Sequence, residues 1–319
     1  MKEGKLYRRR WFIPAALAGG ILLFAVWQLP QLREKERASD LRMYDYRDTR
    51  RLVNLTARAA DLVEERGEEA FKEFNQEPER WSLEGNSYLY IYGLDGVNLF
   101  HGGYPHLAGE NLIDFTDLNG KKVTQMIIDQ LENHRSPNPH GWSHYLWVPP
   151  GSLDGAWKSS CNFGVAMPDG RRVFVGSGID APLQEREFYR IVVDEGAELL
   201  EEKGKAGLSV LKDPGGPFTI HDKGVFVIDS EGQALIDPGL YLGTPRNLYD
   251  YQDLTGRRPM KELSDKLKSA QTAWVITLKQ GKAGSKPVKE GIYGHRATMD
   301  GEEVIVGAIS PLPRPAWMR

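Results

Sequence analysis

The chain has 319 residues, 40% of them hydrophobic and 27% charged, with a formal net charge of −3. That length allows about two domains, the composition excludes a disordered chain, and the acidic balance argues against a nucleic-acid surface. The single cysteine, Cys161, excludes an internal disulfide framework and fits a buried structural thiol.

The charge is unevenly spread. Lys2, Lys5, Arg8, Arg9 and Arg10 stand against Glu3 alone in the first ten residues, and an uncharged apolar run follows from Trp11 to Leu29. A spanning helix needs about 17–25 such residues, and tryptophans near both ends suit the membrane interface. The basic cluster should stay in the cytoplasm. The reading is a cytoplasmic tail over 1–10, a transmembrane anchor over 11–30 and an extracytoplasmic remainder, which in a bacterium means a single-pass inner-membrane protein with a periplasmic bulk. A cleaved signal peptide competes, but the run is long for one and no small-x-small cleavage site follows it. Ten residues before the anchor are too few for a cytoplasmic output domain, so a separate membrane partner is expected.

From Gln31 to about Phe74 the apolar spacing is helical, through Leu41, Tyr44, Leu52, Leu55, Ala59, Leu62 and Val63. A break is predicted at Gly67, with a short second helix after it. Tyr88–Tyr92 reads as a strand, Asp95-Gly96 as a turn and Val97–Phe100 as the returning strand. A helix is predicted over Lys121–Asn133, a strand over Trp142–Val148, and a hairpin from Lys158–Ala166 and Arg172–Ile179 around Pro168-Asp169-Gly170. A helix over about Leu183–Lys203 then opens a second series.

That series repeats the first. Asn111-Leu-Ile-Asp-Phe-Thr-Asp-Leu-Asn-Gly-Lys121 returns as Asn247-Leu-Tyr-Asp-Tyr-Gln-Asp-Leu-Thr-Gly-Arg257, at a constant offset of 136 residues that also relates Gly96 to Gly232. One module used twice is therefore expected, spanning 31–182 and 183–310, with a tail over 311–319. Each unit is a long helix, two strands, a loop with a short helix, then three strands. The fold class is α+β: two tandem antiparallel sheets, each with a long N-terminal helix across one face, the arrangement of PAS-like sensor domains.

The pattern resembles a known family. Gly67-x-x-Ala70-Phe71, Trp81, the strand Tyr88–Tyr92, Asp95-Gly96, Asn111-Leu-x-Asp114-x-x-Asp117-x-x-Gly120-Lys121, Gly141-Trp142-x-x-Tyr145-x-Trp147, Lys158 and Val175-Gly176-Ser177-Gly178-Ile179 look like a Cache domain of the single-Cache type 2. The match covers about Leu41–Ile179 and, more weakly, Leu183–Ser310. The resemblance implies a pocket for a small organic carboxylate or similar metabolite. It also implies signalling through the long helix, commonly as a parallel dimer.

Candidate ligand-binding residues follow from strand alternation. Tyr88, Tyr90 and Tyr92 share one face of their strand and Leu89 and Ile91 the other. The tyrosine face suits a pocket, each ring offering an apolar wall and an orienting hydroxyl; a second core layer is the alternative. Tyr145 and Trp147 share a face and match family positions. Lys158 lies in a strand of small and apolar residues and needs an anionic partner. That partner is a bound carboxylate, or else Asp114 or Asp117, unless the lysine is a solvated one at the sheet edge. His101, just after its strand, could touch ligand. Asp114 and Asp117 recur in both copies, which favours a structural role such as capping over an acidic site. His101, His134, His140 and His144 match no zinc spacing, so no metal is expected, nor any other cofactor. No hydrolase, phosphate-loop or Cys–His signature is present, so no enzyme is expected. By the repeat offsets Tyr90 becomes Phe226, Tyr145 Thr277 and Trp147 Lys279, while Lys289 stands for Lys158. The second copy thus reads as degenerate. The expectation is a sensor that binds a small carboxylate in its first domain and signals through a partner or homodimer; a structural or interaction protein without ligand is the alternative.

Overall fold

The computed structural model describes residues 41–83, 87–132, 140–239, 247–281 and 286–313. The basic tail, the apolar run over 11–30, the start of the first helix and the end of the tail lie outside these residues. Among the described residues no helix is long and apolar enough to cross a membrane. The compact unit from Tyr44 onward holds both sheets.

Helix α1 (Arg47–Arg66) buries Leu52, Leu55, Ala59 and Val63 along one stripe, the spacing that defined it in the sequence. It stops at Gly67, whose φ of 58° turns the chain while its N–H closes on Val63 O. Helix α2 (Glu69–Gln76) follows. Strands β1 (Leu89–Gly93) and β2 (Asn98–His101) form the first hairpin. Then come α3 (Val123–Glu132), β3 (His140–Trp147), β4 (Ala156–Ala166) and β5 (Arg172–Asp180). The sheet order is β2-β1-β5-β4-β3, antiparallel throughout. Leu89, Ile91, Val173 and Val175 join Leu55, Ala59, Val63 and Phe74 in one core, so α1 covers one face.

The second copy opens with α4 (Arg186–Lys203), then α5 (Gly207–Lys212) and a small hairpin, β6 (Thr219–Ile220) and β7 (Lys223–Gly224). Neither α5 nor this hairpin was legible in the sequence; the segment is Gly-, Pro- and Lys-rich and without periodicity. Strands β8 (Phe226–Asp229) and β9 (Ala234–Ile236), helix α6 (Pro259–Leu267), and β10 (Thr272–Lys279), β11 (Val288–Met299) and β12 (Glu302–Pro311) complete it. Its sheet, β10-β11-β12-β8-β9, has the topology of the first. The fold is α+β with two PAS-like sheets in tandem.

The repeated motif makes the same bonds in both copies. Asn111 donates to Asp95 O and accepts from Ile113 N; Asn247 does so with Glu231 O and Tyr249 N. Asp117 accepts from Asn119 N, Lys121 N and Leu146 N, and Asp253 from Thr255 N, Arg257 N and Leu278 N. Gly120 and Gly256 sit at φ of 81° and 79°, where a side chain is strained. The aspartate role is structural, but it ties the loop to the edge strand rather than capping the next helix.

The two copies meet through buried polar groups. Glu185, fully buried, accepts from Asp45 N and Tyr46 N just before α1. Lys121 Nζ donates to His144 O at 2.6 Å and to Thr219 O at 3.0 Å. His144 meets Ser159 Oγ at 2.8 Å, and that hydroxyl meets His221 Nε2 at 3.3 Å. Burial holds both imidazoles below their usual range, His221 at about 4.

Candidate functional site

The face of the first sheet opposite α1 carries the candidate site. Tyr90, Tyr92, Tyr145 and Phe174 pack there against Val123, Ile127 and Leu131. Tyr90 lies across the backbone of Gly176, where a Cβ would stand 2.2 Å from its ring, and its hydroxyl donates to Asn162 Oδ1 at 2.8 Å. Glycine at 176 is thus the condition for the tyrosine to lie flat on the sheet.

A cavity of about 20 Å³ is enclosed by Tyr88, Tyr90, His101, Tyr145, Trp147 and their neighbours. Five of the six sequence-derived candidates therefore meet at one place. That volume holds about one water, so a larger ligand enters only if side chains move. One wall is the repeat loop: Leu112 and Phe115 close the cavity, Phe115 standing edge-on to Trp147 at 5.5 Å. Neither of these two, nor Tyr104, which edges Trp147 and donates to Val148 O, was singled out from the sequence. Loop aromatics carry no periodic signal.

The chemistry is that of donors. Tyr88 Oη and Trp147 Nε1 are buried without a hydrogen bond, although the indole lies near enough to oppose part of the rise that burial causes in the phenol's pKa. Burial keeps Tyr88, Tyr90 and Tyr92 protonated, their hydroxyls pushed well above the usual range, and Tyr145 is pushed to about 12. His101 accepts from Tyr104 N at Nδ1, so the ring proton sits on Nε2. Burial and the nearby Lys158 charge hold this imidazole down at about 3, and it is neutral near pH 7.

Lys158, the sixth candidate, is buried behind Tyr88 rather than against the cavity. Its ammonium lies 4.3 Å from the Tyr88 ring centroid, a cation–π distance. Its ion-pair partner is Asp180 at 3.0 Å, which corrects the alternative drawn from Asp114 or Asp117. Asp114 pairs instead with Lys122 at the surface. Burial lowers the Lys158 pKa and Asp180 opposes that. Asp180 was missed because the predicted hairpin ended one residue short of it, at Ile179; the register Lys158↔Asp180 across that hairpin brings the two together.

The second sheet has changed this chemistry. Tyr145 pairs with Lys158 in the first copy, and Thr277 pairs with Glu290 in the second. The residue standing for Lys158 is therefore Glu290, and not Lys289, which faces Leu278 and is exposed. The strand offset is one residue longer here than the turn that follows implied. Glu290 is buried beside Lys279 at 2.6 Å and Lys223 at 3.8 Å, so the charges are reversed. Among the described residues no cluster of His, Cys, Asp or Glu is placed to hold a metal ion.

Residues 78–163, from the end of α2 to the middle of β4, match the family model of a Cache domain. This stretch belongs to a Cache domain. All six candidate residues fall inside it, whereas Phe174 and Asp180 lie just past its end. A search of curated proteins finds no match. Among solved structures the Cache domain is similar to several chemoreceptor domains. One is a methyl-accepting chemotaxis protein from Vibrio parahaemolyticus RIMD 2210633, 22% identical, covering 50% of this chain and 95% of that one, at a TM-score of 0.31. Another is a Cache chemosensory domain described for carboxylic acid recognition, 18% identical over 49% and 97%, at 0.33. A third, methyl-accepting chemotaxis protein X, is 14% identical over 91% and 100%, at 0.32. At such scores these likenesses carry no structural or functional weight.

Proposed function

We propose that the chain is an extracytoplasmic sensor that binds a small organic carboxylate in its Cache domain and reports it to a membrane partner. It is a receptor rather than an enzyme, held by an anchor over 11–30, with sensing over 31–182 and a second copy over 183–310. The observation that carries this reading is the pair of buried donors without acceptors, Tyr88 Oη and Trp147 Nε1, beside a neutral imidazole and next to the Lys158 ammonium. An unmet buried donor costs about 1–3 kcal/mol, and a carboxylate accepts several such bonds at once. Lys158 supports the anion through Tyr88 and, once that ring moves, directly.

The test is a thermal-shift screen of mono- and dicarboxylates against the full chain. A ligand at a hundred times its Kd adds about 2.7 kcal/mol, which for a chain of this size raises Tm by roughly 4 °C. Lys158→Ala and Tyr88→Phe should each shrink the shift by half or more. The small cavity favours a second reading, a Cache module that only builds structure. A flat screen across all carboxylates, with the shift absent at millimolar ligand, would establish that reading instead.

A further inference from the structure

We propose that strand β10 of the second copy is an interaction edge, and that its occupant is an extended, acidic segment of a partner polypeptide. The internal repeat supplies the comparison. In the first copy the equivalent edge, β3, is covered by the second copy. Phe188 packs at a tilt against Trp142 at 4.5 Å and His144 at 4.7 Å, and Lys121 ties His144 O to Thr219 O. His144 is left 3% exposed.

In the second copy the same register positions are Trp274 and Ile276. Ile276 is 48% exposed, and Leu254, whose N–H bonds Leu278 O, is 52% exposed. Its backbone is open as well. Leu278 turns its N–H and C=O outward, to Asp253 and Leu254, and Trp274 turns its C=O outward to Lys266. In an antiparallel pair alternate residues face the same way, so Ile276 presents both groups outward. Among the described residues they meet no hydrogen-bond partner. The surface that the tandem contact closes once is thus left open the second time.

The charge around the edge selects the occupant. Lys289 pairs with Leu278 and so shares the face of Ile276; Lys286 stands exposed just before β11. Lysines beside an edge strand discourage a second copy from pairing with it. They attract a strand that alternates apolar and acidic side chains, which is the mode of strand addition to an open sheet.

The probe is a fluorescein-labelled acetyl-(Glu-Val)4 amide, titrated by anisotropy into the full chain. It should bind with a Kd below about 100 μM and weaken with added salt. Ile276→Pro removes the outward N–H without touching a β10–β11 bond, which an edge strand tolerates, and should weaken binding at least tenfold. Lys286→Glu with Lys289→Glu changes only exposed side chains and should do the same, with circular dichroism melts confirming that both variants fold. The proposal is overturned if (Lys-Val)4 binds equally well, or if neither variant changes the affinity. It is also overturned if sedimentation shows a dimer that Ile276→Pro abolishes, since a second copy would then hold the edge.

Discussion

His101, His144 and His221 are three buried imidazoles kept neutral for one reason, the cost of burying the cation. Their folded pKa values lie below the unfolded value of about 6.5, at about 3 for His101 and about 4 for His221. Between those limits the unfolded chain binds more protons, so stability falls as pH drops below 6.5. Each histidine should cost roughly 2 kcal/mol by pH 5. Glu195, which burial raises to about 7, acts in the opposite sense, its contribution fading as pH rises from 4.5 to 7. Urea titrations of the wild type and His221→Gln at pH 7 and pH 5 should differ in slope by the contribution of the one histidine. An equal pH dependence in the two proteins would show that burial does not hold His221 neutral. None of this was legible in the sequence. His101 was read there as a possible ligand contact and His144 as a poor metal ligand, while His221 was not singled out, because pairing across the two copies depends on how the second packs on the first.

At the scale of elements, the alternation of β1 separated Leu89 and Ile91 from Tyr90 and Tyr92 correctly, since strand periodicity is local. The register between strands is not local, and there the sequence misassigned Lys289 and left Asp180 unseen. The repeated loop was legible as structure because it survives in a copy whose pocket chemistry has changed. If its aspartates only hold the loop to the edge strand, Asp117→Ala and Asp253→Ala should cost about the same, about 2–3 kcal/mol each by urea denaturation, for the three backbone N–H groups that each leaves without its carboxylate. A much larger functional effect at Asp117, with equal destabilisation, would instead give the first loop a part in binding.

For the whole molecule, the contact at Glu185 matters more than its size suggests. Its carboxylate accepts the two N–H groups at the entrance to α1, where an anion suits the helix dipole, and Arg186 grips Asp45 beside it at 2.8 Å. The second copy therefore holds the end of α1 nearest residues 11–30. Glu185→Ala should destabilise by about 2 kcal/mol. It should also speed hydrogen exchange at Tyr46 well beyond that at Val63, which lies inside the helix; uniform acceleration along α1 would mean that the contact adds only global stability.

The loop over 111–121 has one end in each half of the molecule. Phe115 and Leu112 close the cavity, while Asn119 and Gly120 lie against Gly215 and Lys121 is bound to Thr219. Work done on one end is work done on the other. A ligand that lifted Phe115 would have to strain or relax the seam between the copies, and by reciprocity a change at the seam would alter ligand affinity by the same factor. The affinity of the first domain is then not its own property: cut from the second, it would report a different constant, and the difference would measure the free energy available for signalling.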